Sequence, residues 1–313
     1  MTRVGAVDCG TNSIRLLVAD VGEGGKLTDV VRRMEVVRLG HGVDRTGVIA
    51  PEAMDRTLAR CREYAAQCES LKVERVRFVA TSASRDARNA AQFVAGVEQA
   101  FASFGTEPEV ISGHEEAALS FCGATGDVSA AGLPGPYLVV DIGGGSTEFV
   151  RGRDQVEQAR SVDVGCVRMT ERHLRDDPPT GAEVAAAVSD VEAAIDLAAA
   201  TVDLTGIATL VGLAGTVTTV TAHALGLPEY DPARIHLAQL SPERVEAACT
   251  DLLRLSHAQR AALPYMHPGR VDVIGAGGLV WRSVVRRLVR TSAVPTVVAS
   301  EHDILDGIAL SIG

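Results

Sequence analysis

The clearest pattern of apolar and polar positions is an apolar run that ends at a carboxylate and is followed by glycines and a second apolar run. It occurs at Tyr137–Arg151, Y-L-V-V-D-I-G-G-G-S-T-E-F-V-R. Apolar and β-branched residues on both sides of a glycine cluster predict two antiparallel strands joined by a tight turn. A shorter version lies at Val4–Ser13, V-G-A-V-D-C-G-T-N-S, and precedes the apolar strand Ile14–Val18. The pattern therefore predicts one such hairpin in each half of the chain.

Both predicted turns contain residue types that bind phosphate. Because glycine has no Cβ, an anion can approach the backbone N–H groups of such a turn closely. Hydroxyl side chains follow the glycines in both motifs. The candidates for phosphate binding are Gly10, Thr11, Ser13, Gly143, Gly144, Gly145, Ser146 and Thr147. For either motif alone, a hairpin whose glycines only form the turn is the alternative interpretation.

Carboxylates flank the same turns. Asp141 and Glu148 lie on the two sides of the glycine cluster, and Asp8 ends the strand of the shorter motif. Carboxylate oxygens are hard ligands of the kind that Mg²⁺ prefers. These three residues are therefore the predicted metal ligands, for Mg²⁺ or Mn²⁺.

Arg85 and Glu116 are further candidates outside the hairpins. Arg85 follows the predicted strand Val76–Ala80 at the start of a helix, where α/β folds place ligand contacts. Glu115 and Glu116 lie in the first turn of a later predicted helix. The alternatives are a solvent-exposed arginine and two glutamates that only complement the helix dipole. A basic helix face is also present, for which a solvated surface is favoured over a polyanion groove: Arg282, Arg286, Arg287 and Arg290.

Strands and helices alternate along the chain, which predicts an α/β fold. The Gly-, Pro- and Ala-rich stretch Asp127–Pro136 is the predicted linker between domains 1–126 and 127–313, and the last helix could pack back on the first domain. Pro51 is predicted to open a helix that buries Cys61 and Cys68, and residues 230–236 are predicted to form a loop.

Composition restricts the function further. The chain has 313 residues and a net charge of −10, which argues against nonspecific nucleic-acid binding through a general basic field. The six cysteines form no C-x-x-C pair, which indicates reduced core residues. The sequence contains neither an apolar run of membrane-spanning length nor a signal peptide. We therefore expect a cytoplasmic protein that does not bind membranes.

The pair of phosphate turns resembles the actin, heat-shock ATPase and sugar-kinase superfamily. That resemblance implies two RNase H-like domains with the ligand in a cleft between them. The whole chain, from Val4 to about Leu310, further resembles the exopolyphosphatase and guanosine pentaphosphate phosphohydrolase (Ppx/GppA) family. The segments that carry this likeness are V-D-C-G-T-N-S, T-S-A-S-R-D-A-R-N, V-I-S-G-H-E-E-A, V-V-D-I-G-G-G-S-T-E, V-G-C-V-R-M-T-E, G-L-A-G-T-V-T and R-V-D-V-I-G-A-G.

The family resemblance implies hydrolysis of a terminal phosphoanhydride with Mg²⁺. It assigns Glu116 as the base that activates water and Arg85 as a phosphate contact. It also implies that Asp141 and Glu148 lie on the metal side, and that Asn12 and Ser13 line the first phosphate turn together with the glycine turn of the second half. The expected substrate is inorganic polyphosphate, with pppGpp as the alternative, and a homodimer is expected.

Larger relatives carry a helical extension after this two-domain core, whereas this sequence stops at Gly313. We therefore expect a preference for short polyphosphate chains. Two other functions of the superfamily remain as alternatives, a small-molecule kinase and a nucleotide-switched binding protein. The kinase would need an acceptor site and an aspartate base, and it leaves the I-S-G-H-E-E segment unexplained.

Overall fold

The computed structural model describes residues 1–23, 26–294 and 296–313. The chain divides into two compact units. The first comprises Met1–Gly123 and Ile304–Gly313, and the second comprises Ala124–Asp303. Within the described residues, no helix is both long and apolar enough to cross a membrane.

The first unit contains a five-stranded sheet in the order β3-β2-β1-β4-β5. Its strands are β1 (Thr2–Cys9), β2 (Ser13–Val21), β3 (Leu27–Val36), β4 (Arg75–Ala80) and β5 (Glu109–Val110). The first three strands are antiparallel, whereas β4 and β5 continue the sheet parallel to β1. The predicted hairpin of the first half is therefore formed by β1 and β2.

Between and after these strands the described chain forms the helices α1 (Val43–Thr46), α2 (Pro51–Ser70), α3 (Ser82–Asp86), α4 (Ala90–Ala100) and α5 (Gly113–Ala130), the last of which continues into the second unit. Helix α2 begins at Pro51, as predicted, because the fixed φ of proline suits a first helical position. Cys61 and Cys68 lie on its buried face. Helix α5 runs through Asp127 to Ala130, so the predicted linker Asp127–Pro136 was wrong over its first four residues, where a helix of small residues continues.

The second unit contains a six-stranded sheet in the order β10-β11-β9-β6-β7-β8. Its strands are β6 (Tyr137–Ile142), β7 (Thr147–Gly152), β8 (Val156–Val162), β9 (Thr209–Leu213), β10 (Gln239–Leu240) and β11 (Val297–Ala299). Three antiparallel strands are again followed by parallel ones, β9 and β11. The core of the second unit surrounds Trp281, which packs directly on the backbone of Gly212.

The helices of the second unit are α6 (Cys166–His173), α7 (Gly181–Ala199), α8 (Ala214–Leu225), α9 (Pro232–Ile235), α10 (Pro242–Arg254), α11 (His257–Ala261) and α12 (Ile274–Ser292). The short helix α9 replaces most of the loop that was predicted for residues 230–236. It forms because Asp231 accepts hydrogen bonds from the backbone of Ala233 and Arg234, and Pro232 occupies the first position.

The last helix, α13 (Ile304–Ile312), belongs to the first unit and packs on β1 and β2. Its Asp306 is buried and forms an ion pair of 2.5 Å with Arg32 of β3. Both units thus repeat one plan, in which three antiparallel strands lead into parallel strands covered by helices. The predicted fold class, α/β with two RNase H-like units, is confirmed by this topology.

Candidate active site

The two predicted phosphate turns have the same closing hydrogen bond. In the first unit the Gly10 N–H donates to the Ser13 carbonyl at 2.9 Å, and in the second the Gly143 N–H donates to the Ser146 carbonyl at 3.0 Å. In each unit the strand ends one residue beyond its aspartate, Asp8 in β1 and Asp141 in β6. The glycine that donates the closing hydrogen bond is the next residue. The resemblance between the two sequence motifs is therefore a resemblance between two backbone turns of equal length.

Helix α6 holds the glycine turn of the second unit. The Cys166 N–H donates to the Gly143 carbonyl at 3.0 Å, and the N–H groups of Val167 and Arg168 donate to the Gly144 carbonyl at 2.9 and 3.1 Å. In a planar trans peptide the N–H points opposite to the carbonyl. The N–H groups of Gly144 and Gly145 therefore point away from α6, as a turn that receives an anion requires.

Gly165 permits this close approach of α6 to the turn. A Cβ at this position would lie 2.5 Å from the Gly144 carbonyl oxygen and 2.8 Å from that of Gly143. Both contacts are with backbone atoms, which cannot rotate away as a side chain could. Arg168 adds a side-chain contact, because its Nε donates to the Gly145 carbonyl at 2.7 Å.

Asp141 and Glu148 are directly opposite each other in the antiparallel pair β6–β7. Opposed residues of such a pair lie on the same face of the sheet, and two like charges there repel. Both carboxylates are buried, at 6% and 1% exposure, and Ser161 Oγ donates to Glu148 Oε1 at 2.7 Å. A buried pair of opposed carboxylates fits a divalent cation, since a cation would remove this repulsion.

The turn of the first unit is anchored by its carbonyl groups. The Asn12 carbonyl accepts from the N–H groups of Val37 and Arg38 at 3.0 and 2.8 Å, and the Thr11 carbonyl accepts from Gly40 at 2.8 Å. The buried hydroxyl of Thr11 lies 2.8 Å from that of Ser82, which opens α3. The turn is thus joined to the helix that carries Arg85.

Asp8 has a different neighbour from the other two predicted metal ligands. Arg15, its opposite residue on β2, donates to Asp8 Oδ2 through Nη2 at 2.7 Å and through Nε at 2.9 Å. A cation at Asp8 would compete with this guanidinium. Asp8 lies in the first unit and the Asp141–Glu148 pair in the second, so their joint role at one metal stays a prediction.

Arg85 and Glu116 are brought into contact. Arg85 Nη1 donates to Glu116 Oε2 at 3.1 Å and to the Ile111 carbonyl at 3.0 Å. The two residues reach each other because β4 leads into α3, and β5 leads into α5 beside it. Glu116 is 7% exposed. A buried carboxylate paired with an arginine is more than a helix-dipole complement requires, since such complements normally lie at the surface.

Glu115 has separate partners on the protein surface. Arg77 Nη2 donates to Glu115 Oε1 at 2.8 Å, and the same guanidinium binds Glu109 at 2.8 and 2.9 Å. Hydrogen bonding to Glu109, together with its charge and that of Glu115, raises the pKa of Arg77. Adjacent glutamates of one helical turn therefore belong to two different networks, and only one of these contains Arg85.

Arg270 was missing from the predicted site residues. Its guanidinium lies against the backbone of Gly215, where an added Cβ would be 2.5 Å away, and Nη1 donates to Thr219 Oγ1 at 3.0 Å. The Tyr230 ring lies 5.8 Å from the guanidinium. Gly215 follows the carboxyl end of β9, where open α/β sheets bind ligands. The available signal was that Arg270 is the first residue of the R-V-D-V-I-G-A-G segment.

Ala214, beside Gly215, has a positive φ of 65°. This backbone conformation is strained for a residue with a Cβ and is found most often at functional sites.

The basic face of α12 forms structural ion pairs: Arg286 binds Glu246 at 2.9 Å, and Arg287 binds Glu192 and Asp196 at 2.8 and 2.7 Å. The interpretation of this face as a solvated surface is wrong for Arg282, which is buried and donates through Nη1 to Thr250 Oγ1 at 3.1 Å.

A family model described as the Ppx/GppA phosphatase family matches residues 17–312. The chain belongs to this family. Exopolyphosphatase 2 of Mycobacterium tuberculosis is 49% identical to it over 317 residues, which cover 100% of this chain and 99% of the relative. The resemblance inferred from the sequence is thereby confirmed, and so is the assignment to phosphoanhydride hydrolases.

A solved structure described as an exopolyphosphatase-like protein has a TM-score of 0.95 and 45% identity, covering 100% of this chain and 98% of its own. A second curated relative covers less. Guanosine-5'-triphosphate,3'-diphosphate pyrophosphatase of Vibrio cholerae is 35% identical over 172 residues, which are 55% of this chain and 33% of that protein. The two curated relatives are thus named for two different substrates.

Proposed function

We propose that this protein is an exopolyphosphatase, which releases the terminal phosphate of inorganic polyphosphate by hydrolysis. The full-length relative from Mycobacterium tuberculosis supports the substrate class. The observation that carries the chemistry is the contact between Arg85 and Glu116, while Glu115 is bound to Arg77 instead. This contact distinguishes Glu116 from Glu115, because only Glu116 lies beside the arginine that is expected to bind phosphate.

In the proposed reaction, the oxygen of water attacks the terminal phosphorus and the bridging P–O bond breaks. The shortened polyphosphate leaves with the bridging oxygen, and Glu116 accepts the proton of the attacking water. Arg85 binds the terminal phosphate in this account, which releases part of its hold on Glu116.

Charge stabilisation is the second requirement, since phosphoryl transfer depends chiefly on positioning and on neutralising the phosphate oxygens. The two glycine-containing turns would supply backbone N–H groups. Asp141 and Glu148, with Asp8 from the first unit, would hold Mg²⁺ or Mn²⁺. When bound, such a cation neutralises charge on the phosphate oxygens.

Hydrolysis of pppGpp is the second candidate function. The relative from Vibrio cholerae that is named for a guanosine substrate supports it. Polyphosphate and pppGpp both end in a phosphoanhydride, so the same turns, arginine and base would serve either. The full-length match favours polyphosphate over this alternative. A homodimer and a cytoplasmic location stay predictions from the sequence.

The test is a side-by-side measurement of phosphate release from polyphosphate, pppGpp and ATP with Mg²⁺. We expect the highest kcat/KM with polyphosphate, and its loss in the Glu116→Gln variant. A higher kcat/KM with pppGpp would replace the proposed substrate but keep the chemistry. Transfer of phosphate to a small-molecule acceptor without net hydrolysis would overturn the proposal.

A further inference from the structure

Two histidines and one aspartate converge in the second unit, apart from the residues of the candidate active site. Asp127 lies on α5, His236 follows α9, and His302 follows β11. One ligand-type atom from each residue lies within 4.8 Å of the others. His302 Nδ1 is 2.5 Å from Asp127 Oδ2, and His236 Nε2 is 3.5 Å from the same oxygen. We propose that this cluster, the His236–His302–Asp127 site, binds a divalent transition-metal ion, for which Zn²⁺ is the best match.

The donor set decides the class of metal. Imidazole nitrogens suit Zn²⁺ and its neighbours in the transition series, whereas Mg²⁺ is bound by carboxylates and water. Three protein ligands with a fourth position left to water is a known zinc arrangement. All three side chains are partly exposed, so a metal and its water can reach them. The ligand set therefore differs from the all-carboxylate set predicted for the active site.

The backbone around the ligands is fixed before any metal binds. Leu237 donates to the Ala299 carbonyl at 2.8 Å, and Ala299 donates to the Ala238 carbonyl at 3.1 Å. These bonds hold the segment after His236 against the strand that leads to His302. Ser300 Oγ bonds both the N–H and the carbonyl of His302, at 3.1 and 2.7 Å. Ligands held on paired backbone lose less entropy when they bind a metal.

Metal binding would require two local changes. His302 Nδ1 and Asp127 Oδ2 are 2.5 Å apart, within hydrogen-bond distance, and a metal would take the place of the hydrogen bond between them. The two atoms would then separate by about 1 Å, as two ligands around one Zn²⁺ must. His236 Nδ1 now accepts from the Glu301 N–H at 3.3 Å, and this long bond would be lost when Nε2 binds the metal.

The cluster joins distant parts of the chain. Asp127 and His302 are 175 positions apart. Each lies within four residues of a point where the chain passes from one compact unit to the other. A metal bound to both residues would close a long loop of the chain. A cross-link restricts the unfolded chain more when the loop it closes is longer. The proposal does not depend on the proposed hydrolase activity.

Zn²⁺ affinity is measured by titration calorimetry on chelator-treated full-length protein, in Mg²⁺-containing buffer. We expect one Zn²⁺ per chain in the wild type and a loss of affinity of at least about 10-fold in each of His236→Gln, His302→Gln and Asp127→Asn. The matched control is His257→Gln, which removes an exposed histidine that pairs with a single carboxylate, Asp272. It should bind Zn²⁺ as the wild type does.

The visible spectrum of Co²⁺-loaded wild-type protein gives a readout that needs no variant. We expect intense bands of a four-coordinate site, which Zn²⁺ removes and excess Mg²⁺ does not. Equal Zn²⁺ affinity in the wild type and in His302→Gln would overturn the proposal. If the ligand variants fail to fold with Zn²⁺ removed, a wild-type Co²⁺ spectrum without such bands would overturn it equally.

Discussion

Arg85 Nη1 donates to Glu116 Oε2 at 3.1 Å, and this bond connects the helix after β4 with the first turn of α5. The same nitrogen donates to the Ile111 carbonyl at 3.0 Å, so two acceptors hold this end of the guanidinium. A polyanionic substrate would compete with Glu116 for this arginine. The contact thus links the expected phosphate-binding residue to the expected base, and it makes each testable through the other.

Substitution of Arg85 by lysine tests the need for a guanidinium. Lysine keeps the charge but cannot make the same planar pair of contacts. With polyphosphate as substrate, we expect kcat/KM to fall about 100-fold, as for the loss of one charge-stabilising donor. The control is Arg77→Lys, which alters the Glu109 and Glu115 network and should leave kcat/KM within about twofold, since surface ion pairs contribute little. Equal losses in both variants would contradict the assigned role of Arg85.

Gly165→Ala tests the contact between α6 and the glycine turn. The added Cβ would meet the Gly144 carbonyl oxygen at 2.5 Å, so helix and turn must separate. We expect a destabilisation of about 1–3 kcal/mol, as for overpacking, with a clear rise in KM for polyphosphate.

The matched control for that change is Gly126→Ala in α5. Apart from the backbone of its own helix, no described atom lies within 4 Å of a Cβ at this exposed position. Alanine should stabilise the helix by about 0.5–1 kcal/mol and leave KM unchanged. Thermal melts and steady-state kinetics of both variants check the pair. An unchanged KM in Gly165→Ala would show that the turn does not bind substrate.

We predict that activity depends on a divalent cation, because the carboxylates Asp141 and Glu148 lie opposite each other. Excess EDTA should abolish phosphate release, and Mg²⁺ or Mn²⁺ should restore it. Asp141→Asn and Glu148→Gln should require higher Mg²⁺ concentrations, because each removes one ligand charge. Undiminished activity in EDTA would rule out this role. If Zn²⁺ restored phosphate release and Mg²⁺ and Mn²⁺ did not, the required cation would bind at a different kind of site.

The capping box of α7 predicts a specific pH dependence of stability. Glu183 accepts from the backbone N–H groups of Thr180 and Arg175, at 2.8 and 2.9 Å. These bonds lower the pKa of Glu183 to about 2. A carboxylate with a depressed pKa stabilises the fold above its unfolded pKa, and that stability is lost as pH falls toward the folded value.

Glu183→Gln removes the charge but keeps the size of the side chain. The melting temperature of the variant should lie below that of the wild type at neutral pH, and the difference should shrink between about pH 5 and pH 2. Thermal melts across that range check this. A difference that stays constant over the whole range would contradict the predicted role of the carboxylate charge.

Much of the fold could be predicted because its signals are local. The Asp-x-Gly and Gly-Gly-Gly turns lie directly between their own strands, so both hairpins follow from short segments. The partners of Asp8 and Glu115 could not be predicted in this way. They depend on strand register and on the packing of α5, which set Arg15 opposite Asp8 and Arg77 beside Glu115.

Residues far apart in the sequence were harder still to assign. Arg270 lies 55 positions from Gly215 in the sequence and contacts it through the tertiary fold, and a single arginine at the end of a short 3-10 helix carries no periodic signal. The His236–His302–Asp127 site joins residues from three distant segments of the chain, with none of the close spacing by which metal motifs are recognised. The helix that begins at Gly113 was predicted, but its continuation through Asp127 to Ala130 was missed, because the glycines and prolines that follow suggested a linker starting at Asp127.

The most direct test of the central claim is the kcat of Glu116→Gln beside that of Glu115→Gln, with polyphosphate, saturating Mg²⁺ and folding checked by thermal melt. If Glu116 is the base that activates water, Glu116→Gln should lower kcat by roughly 10²–10⁴-fold. The affinity for polyphosphate should be unchanged or improved. Glu115→Gln, which loses only a bond to Arg77, should stay near wild type. A Glu116→Gln variant that keeps more than about a tenth of wild-type kcat would contradict the assignment.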